Sequence, residues 1–327
     1  KERHCIIKAM SKRTTLPLCL VLLVLCGCAG NGTDRLNKQT RFLLDTVCTV
    51  SADCDDETLG GAFALCEKLE KTLSRTNGES DVSKLNNSDG FTDVSDETRF
   101  LIERSLYYSD VSGGKFDITI CPVSQLWDFK NQVIPSREEI AEALKNVDYH
   151  SIRVSENGIS TGGKKIDLGA IAKGYIADRL AEYFKEKGVG RAIVNLGGNV
   201  KTVGEFTVGI KKPFENETVA TVKLNGKSAA TSGIYERYIE KDGKIYHHIL
   251  DPETGYGVEN ELASVTVIGD SSCDCDALST VCMLVGTERA AKILKKNNAE
   301  AVFIDRGGKI TLTQGLYREN DKIYFKR

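Results

Sequence analysis

The sequence predicts an α+β fold in which helices and antiparallel strands form a single unit. Two observations support this class. Helical apolar patterns dominate the first half of the chain, and short β-rich runs separated by glycine turns dominate the second. Because helices and strands do not alternate regularly, the pattern argues against a parallel βαβ sheet. At 327 residues the chain does not require two separate cores.

The helices of the first half are predicted from apolar periodicity and capping residues. A β-rich run starting at Arg41 predicts a first strand. Four helices are then expected: one with apolar positions from Leu59 to Leu73, one from Ser95 to Gly113, one opened by a Ser136–Glu139 capping box, and one from Asp167 to Lys187.

The second half changes to a period of two. The runs AIVNL, FTVGI, ATVKL, IYERYIE, KIYHHIL and ASVTVIG predict strands. Two more helices are expected at 276–285 and 288–296, followed by the short strands AVFI and KITLT. No internal repeat or low-complexity linker follows residue 40.

The N-terminal segment has the pattern of an export signal. Basic residues precede an apolar run from Leu16 to Leu25, which falls short of the roughly 20 residues that span a bilayer. The tetrapeptide Leu25-Cys26-Gly27-Cys28 is similar to a bacterial lipobox, although a plain signal peptide cut nearby is the alternative. We expect a lipoprotein signal peptide at 1–27, lipidation of Cys28, a polar tether at 28–40 and the folded domain at 41–327.

Charge and cysteine usage narrow the classes of function. The formal net charge is −2 and no polybasic face follows the leader, so we expect no nucleic-acid binding. Of eleven cysteines, four precede residue 29 and seven remain, an odd number for a disulfide framework. Since several of these seven have apolar neighbours, we expect most to be small buried hydrophobes.

Two glycine-containing motifs are candidates for contact with a ligand. DLGAIAKGYIAD (Asp167 to Asp178) combines an acid, small residues and Lys173 at a predicted helix start, where a phosphate is favoured. Close helix packing is the alternative. NLGGN (Asn195 to Asn199) places two glycines after a strand, which fits either a tight turn or a backbone that passes close to a ligand.

A histidine motif and a cysteine motif are candidates for catalysis and metal binding. In HHILDPETG, a histidine three residues before Asp251 at a strand end is a plausible general base or a structural residue. In CDCDALSTVC (Cys273 to Cys282), the cysteine spacing does not suit zinc. On a helix, however, Asp276 and Thr280 face the same way and offer the oxygen donors that Mg²⁺ prefers. A capped helix start is the alternative.

Together these segments resemble the FAD:protein FMN transferase family, the ApbE flavin transferases. The resemblance runs from about Thr46 to the C-terminal strands, through SDVSKLN, GGKFDITICPVSQLW, DLGAIAKGYIAD, NLGGN, TSGIYERY, HHILDPETG and CDALST. It implies a T-fold-like single catalytic unit at 41–327. It also implies Mg²⁺-dependent transfer of FMN from FAD to a Thr or Ser hydroxyl of a target protein, with release of AMP.

The resemblance also implies roles for individual residues. His248 matches the base, with Asp251 behind it, and Lys173 adds charge at the phosphates. Mg²⁺ is expected on Asp276, Thr280 and the backbone carbonyl of Ala170. FAD contacts are implied for Leu44, Lys115, Phe116, Asp117, Asp167, Lys173 and Leu250, and for Thr76, where many relatives carry an aromatic residue nearby. Loss of that aromatic ring is expected to loosen FAD and to favour its hydrolysis.

The same residues are compatible with two alternative functions. A Mg²⁺-dependent FAD pyrophosphatase would use water as the acceptor, and a flavin-binding lipoprotein would perform no chemistry. The presence of His248, Asp276 and Thr280 together argues against the second. The family also implies that the target is an exported domain of a membrane redox complex. From the lipobox-like segment we expect the enzyme to be extracytoplasmic, anchored by lipid to the cell membrane.

Overall fold

The computed structural model describes residues 36–326, so the predicted signal peptide and Cys28 lie outside the described residues. The helices are α1 (Asp56–Leu73), α2 (Asp81–Asn86), α3 (Asp96–Ser112), α4 (Cys121–Ser124), α5 (Arg137–Leu144), α6 (Ala172–Glu186) and α7 (Ser272–Lys296). In the described part of the chain, no helix is long and apolar enough to cross a membrane.

The strands follow in chain order. They are β1 (Asn37–Leu43), β2 (Thr46–Ala52), β3 (Arg153–Ser155), β4 (Gly158–Ser160), β5 (Ala192–Leu196), β6 (Asn199–Val203), β7 (Glu205–Lys211), β8 (Thr218–Asn225), β9 (Ser228–Gly233), β10 (Tyr238–Lys241), β11 (Lys244–His247), β12 (Leu262–Gly269), β13 (Glu300–Asp305), β14 (Ile310–Leu312), β15 (Leu316–Glu319) and β16 (Lys322–Phe325).

An eight-stranded antiparallel sheet organises the fold, with the strand order β1-β2-β5-β6-β9-β12-β13-β14. Helices α1, α6 and α7 cover one face and bury the larger apolar core there. A four-stranded sheet, β15-β16-β8-β7, packs on the other face through a second apolar cluster. Since both faces are covered, all eight residues of β12 are buried. The predicted α+β class is confirmed.

Several predicted boundaries are confirmed by their capping contacts. The five periodic apolar residues of α1 are buried, and Ser95 and Gly113 cap the two ends of α3. Both hydrogen bonds of the capping box at Ser136 and Glu139 are present at the start of α5. Apolar periodicity and capping residues each involve only a few neighbouring positions, and they predict local structure well.

The first predicted strand is instead a hairpin. Leu44 and Asp45 have φ values of 56° and 55°, as the central residues of a two-residue type I′ turn require. The Leu44 amide donates a hydrogen bond of 2.8 Å to Glu70 Oε1, which ties the turn to α1. Because β1 begins at Asn37, four residues expected in the tether belong to this hairpin.

The helix predicted from Asp167 begins at Ala172 instead. Asp167 Oδ1 accepts the amide hydrogen of Gly169 at 2.8 Å, and this local turn competes with helix formation. The two C-terminal helices are one element, α7, interrupted at Gly286, where φ is 74° and ψ is 167°. The predicted break is therefore present, but the helix starts earlier, at Ser272.

Candidate active site

The packing of α6 against α7 positions the predicted metal ligands. Asp276 on α7 is 5% exposed, and its Oδ2 accepts the amide hydrogen of Gly174 on α6 at 2.8 Å. A Cβ atom on Gly174 would lie 2.2 Å from the Ser272 carbonyl oxygen and 2.6 Å from Asp276 Cβ. Only glycine therefore allows the two helices to approach this closely.

This contact changes the hydrogen bonding of the preceding turn. In a helix, the Gly174 amide would donate to the carbonyl of Ala170, four residues earlier. Because the amide donates to Asp276 instead, the Ala170 carbonyl accepts no hydrogen bond from any described residue. Oδ1 of Asp276 likewise has no hydrogen-bond partner among residues 36–326. Two oxygen acceptors thus remain unpaired at the α6–α7 junction.

Three hydroxyl groups lie next to this junction, two on α7 and one at the end of β9. Thr280 lies one turn after Asp276 on the same helix face. Ser232, at the end of β9, has its Oγ 2.7 Å from Ser279 Oγ and 3.4 Å from Thr280 Oγ1. The TSG sequence motif thus contributes a hydroxyl next to the predicted ligands, a contact that spacing alone does not reveal.

These residues fit a hard cation. Among residues 36–326, no three His, Cys, Asp or Glu side chains cluster as metal ligands. A cation at this junction would therefore depend on one carboxylate, a hydroxyl and a backbone carbonyl. Mg²⁺ accepts few protein oxygens and completes its shell with water and substrate phosphates. The unpaired oxygens of Asp276 and Ala170 satisfy this chemistry.

The cysteines of the same helix serve packing. Cys273, Cys275 and Cys282 are reduced and at most 2% exposed. Burial raises the pKa of each thiol, so the thiolate that binds a soft metal is disfavoured. The expectation that most of the seven cysteines are buried is confirmed, since all but Cys54 are.

His248 follows β11 and is held by the backbone of Arg237. The Arg237 carbonyl accepts the backbone amide of His248 at 3.2 Å and lies 3.3 Å from its ring Nδ1. A carbonyl can only accept, so Nδ1 carries the proton and Nε2 keeps a lone pair. The ring also meets the ring of Phe129 edge-on, with centroids 6.4 Å apart.

The surroundings keep His248 neutral. Its side chain is partly exposed, and desolvation of the ring lowers its pKa to about 3. The positive charges of Arg237 and Lys173 act in the same direction. The protein therefore disfavours the imidazolium form of His248.

His247 faces the opposite side of the hairpin. It is 2% exposed, its Nε2 lies 3.1 Å from the Val258 carbonyl, and burial lowers its pKa to about 4. A Cβ on Gly257 would lie 3.0 Å from its ring atoms, so the glycine backbone packs against this ring. His247 is therefore a packing residue, whereas His248, the residue that follows β11, is partly exposed.

Comparison with known proteins identifies the family. The model of the ApbE family matches residues 44–303. The chain belongs to the ApbE family. It is 38% identical to an FAD:protein FMN transferase of Klebsiella pneumoniae (strain 342), over 86% of this chain and 92% of that protein. An FAD:protein FMN transferase of Treponema pallidum (strain Nichols) is 29% identical over 91% and 93% of the two chains.

Solved structures of ApbE proteins share this fold. The ApbE protein of Thermotoga maritima MSB8 aligns with a TM-score of 0.78 at 29% identity, covering 86% of this chain and 97% of that one. The apo flavinyl transferase ApbE of Pseudomonas stutzeri aligns at 0.75 with 28% identity, covering 86% and 95%. The predicted family and architecture are confirmed.

Asp251 makes no hydrogen bond with the ring of His248 in this ApbE-family chain. Its carboxylate accepts from Lys115 Nζ at 2.9 and 3.1 Å, and its Oδ1 accepts the Glu253 amide at 2.9 Å. The ring Nδ1 of His248 faces the Arg237 carbonyl. Asp251 and Lys115 thus stabilise the turn that follows His248, and the catalytic role implied for Asp251 stays a prediction.

The other residues implied for FAD occupy different local environments. Asp117 caps a short turn through Thr119 and the Tyr149 amide, and Phe116 is 2% exposed in the core. Asp167 pairs with Arg75 at 2.9 Å, while Lys173 Nζ donates to the Gly169 carbonyl at 2.9 Å. Leu44 is in the β1–β2 turn, Thr76 is exposed, and the side chain of Leu250 is buried. Their contact with FAD stays a prediction.

Proposed function

We propose that this protein transfers FMN from FAD to a Thr or Ser hydroxyl of a target protein and releases AMP. The observation that carries the proposal is the α6–α7 junction, where the Gly174 amide bonds Asp276 and leaves the Ala170 carbonyl unpaired. The curated relatives are named FAD:protein FMN transferases, and FAD carries a pyrophosphate whose negative charge a cation at this junction would neutralise.

Asp276, Thr280 and the Ala170 carbonyl would hold Mg²⁺ in this proposal. When bound, the ion supplies neutralisation of the pyrophosphate charge, which phosphoryl transfer requires more than covalent assistance. Lys173 lies in the first turn of α6, close enough to influence the pKa of His248, so its ammonium is available to the same phosphates. The N-terminus of α6 also favours an anion.

His248 would accept the proton of the incoming hydroxyl at Nε2. The hydroxyl oxygen forms a bond to the phosphorus of the FMN moiety, and the bond from that phosphorus to the bridging oxygen breaks. AMP leaves with the bridging oxygen, so atoms and charge balance. The neutral ring is ready to accept a proton, and nearby phosphate charge would raise the pKa of His248 towards a useful value.

Membrane attachment is part of the proposal. Leu25-Cys26-Gly27-Cys28 supports lipidation of Cys28 after removal of residues 1–27, which would place the enzyme outside the cytoplasm on the cell membrane. The target is then an exported domain of a membrane redox complex. Cys28→Ala should release the protein or leave it unprocessed. Wild-type protein without added acyl mass would contradict the anchor.

The experiment that tests the activity combines the protein with FAD, Mg²⁺ and a purified exported flavoprotein domain that carries a candidate threonine. We expect flavin fluorescence on the acceptor after denaturing electrophoresis, with an equal amount of AMP. A Thr→Ala acceptor and EDTA provide the controls. AMP with free FMN and no labelled acceptor would instead identify a pyrophosphatase, and no AMP would identify a binding protein.

A further inference from the structure

Helices α6 and α7 each receive a carboxylate from the other. Asp276 on α7 accepts the Gly174 amide of α6, as described above. In return, Asp178 on α6 accepts the amides of Ser272 and Cys273, both at 2.9 Å, and the Ser271 hydroxyl at 3.1 Å. These two amides are the first two of α7, which no residue within that helix can pair.

Two further residues complete the capping of α7: Ser271, which directly precedes the helix, and Lys201 of β6. Ser271 Oγ accepts the third amide of the helix, that of Asp274, at 3.1 Å. Lys201 on β6, with a side chain 7% exposed, places its Nζ 3.3 Å from Asp178 Oδ1 and also donates to the Asp270 carbonyl. The buried ammonium of Lys201 thus pairs with the partly exposed carboxylate of Asp178, and these contacts connect α6, α7 and the central sheet.

This geometry couples the cap to the proposed metal site. Gly174 and Asp178 are one turn apart on α6, and Ser272 and Asp276 are one turn apart on α7. The bond from Asp178 to the Ser272 amide and the bond from Asp276 to the Gly174 amide therefore fix the same helix crossing at two points. Loosening the first would move the carboxylate of Asp276 relative to the Ala170 carbonyl.

We propose that Asp178 is a positioning residue that sets the register of α7 on α6 and so holds Asp276 and Thr280 in place for Mg²⁺. The inference rests on the metal site of the proposed function. Groups that orient metal ligands without touching the ion typically change metal affinity by about 10–100-fold when removed. We expect an effect of that size, although Asp178 is not itself expected to contact the cation or FAD.

The test is Mg²⁺ binding by isothermal titration to the purified protein, together with thermal unfolding. Asp178→Asn should weaken Mg²⁺ binding about 10-fold or more. The matched control is Asp274→Asn, which also removes one negative charge close to the start of α7. The carboxylate of Asp274 pairs with Arg104 of α3 at 2.6 Å. This control should lower the melting temperature but change the Mg²⁺ dissociation constant less than about twofold.

Two further variants separate the possible failures. Asp276→Asn should weaken Mg²⁺ binding more than Asp178→Asn does. Wild-type affinity in Asp276→Asn would overturn the metal site itself, and with it the role of Asp178. Wild-type affinity in Asp178→Asn alone would overturn the positioning role. If Asp178→Asn does not fold, Gly174→Ala forces the same helices apart and should weaken Mg²⁺ binding, and unchanged affinity there would contradict the proposal.

Discussion

The two sides of the candidate site are held by different kinds of contact. On the metal side, Asp276 and the Ala170 turn are fixed by two packed helices, each of which accepts backbone amides of the other on a carboxylate. On the base side, His248 follows a two-stranded sheet, β10–β11, that pairs with no other strand among the described residues. There the Arg237 carbonyl and the edge of Phe129 orient the ring.

The difference predicts which kinetic quantity each side controls. The metal side arranges oxygen donors before any ligand binds, so a change there should affect ligand binding as well as turnover. The base side supplies a lone pair that acts on the acceptor hydroxyl, mainly in the transition state. A change there should affect turnover alone.

The largest effect is expected at Asp276, the only carboxylate proposed to hold the metal ion. Asp276→Ala should reduce both FAD cleavage and FMN transfer to background, because several kcal/mol of charge stabilisation is lost, about 1.4 kcal/mol for each tenfold change. AMP release and gel fluorescence measure the two reactions. Asp274→Ala is the control and should retain both. Full FAD cleavage in Asp276→Ala would show that metal binding does not depend on this residue.

A smaller effect is expected at His248. His248→Ala should lower the rate of FMN transfer about 10²–10⁴-fold, the usual loss for a general base, while FAD and Mg²⁺ still bind. Isothermal titration of FAD and fluorescence of a labelled acceptor separate these quantities. His247→Asn, the neighbouring control, should change stability more than turnover, because His247 is buried and faces away. Transfer at the wild-type rate by His248→Ala would refute the base assignment.

The pH dependence tests the electrostatics of the base side. The protein lowers the pKa of His248 from 6.5 to about 3, so the neutral ring persists below pH 6.5. Because kcat/KM reports the ionisation of the free enzyme, it should stay flat from about pH 8 down to about pH 5. Circular dichroism over the same range checks that the fold is intact. A fall of kcat/KM to half its maximum near pH 6.5 would show that the ring titrates as in water.

The smallest effects are expected at the cysteines of α7. Cys273→Ser, Cys275→Ser and Cys282→Ala should each cost roughly 1–2 kcal/mol of stability through lost packing and keep Mg²⁺-dependent activity. Urea unfolding measures the free energy, and elemental analysis measures bound metal. Stoichiometric zinc in the wild-type protein that disappears in these variants would replace the oxygen site with a sulfur site.

The sequence by itself determined the local structure and the chemistry of the donors. The periodicity of α1, the capping box of α5 and the break of α7 near Gly286 depend on residues a few positions apart, and all are present. The oxygen donors were likewise predictable, since Asp276 and Thr280 are one turn apart on any helix. The family could be named from motifs in order, and the comparisons confirm it.

Only the tertiary structure decided which distant groups pair. Asp276 finds the Gly174 amide 102 positions away, and Lys115 bonds Asp251 across 136 positions. The tautomer of His248 depends on the Arg237 carbonyl, which lies just before β10 and 11 positions away along the chain. A local sequence pattern predicts the conformation of one segment. The hydrogen-bond partner of a distant group depends instead on how the segments pack together and on which buried polar groups still need a partner. The register of α7 on α6, and with it the position of the proposed metal ligands, is therefore a property of the fold.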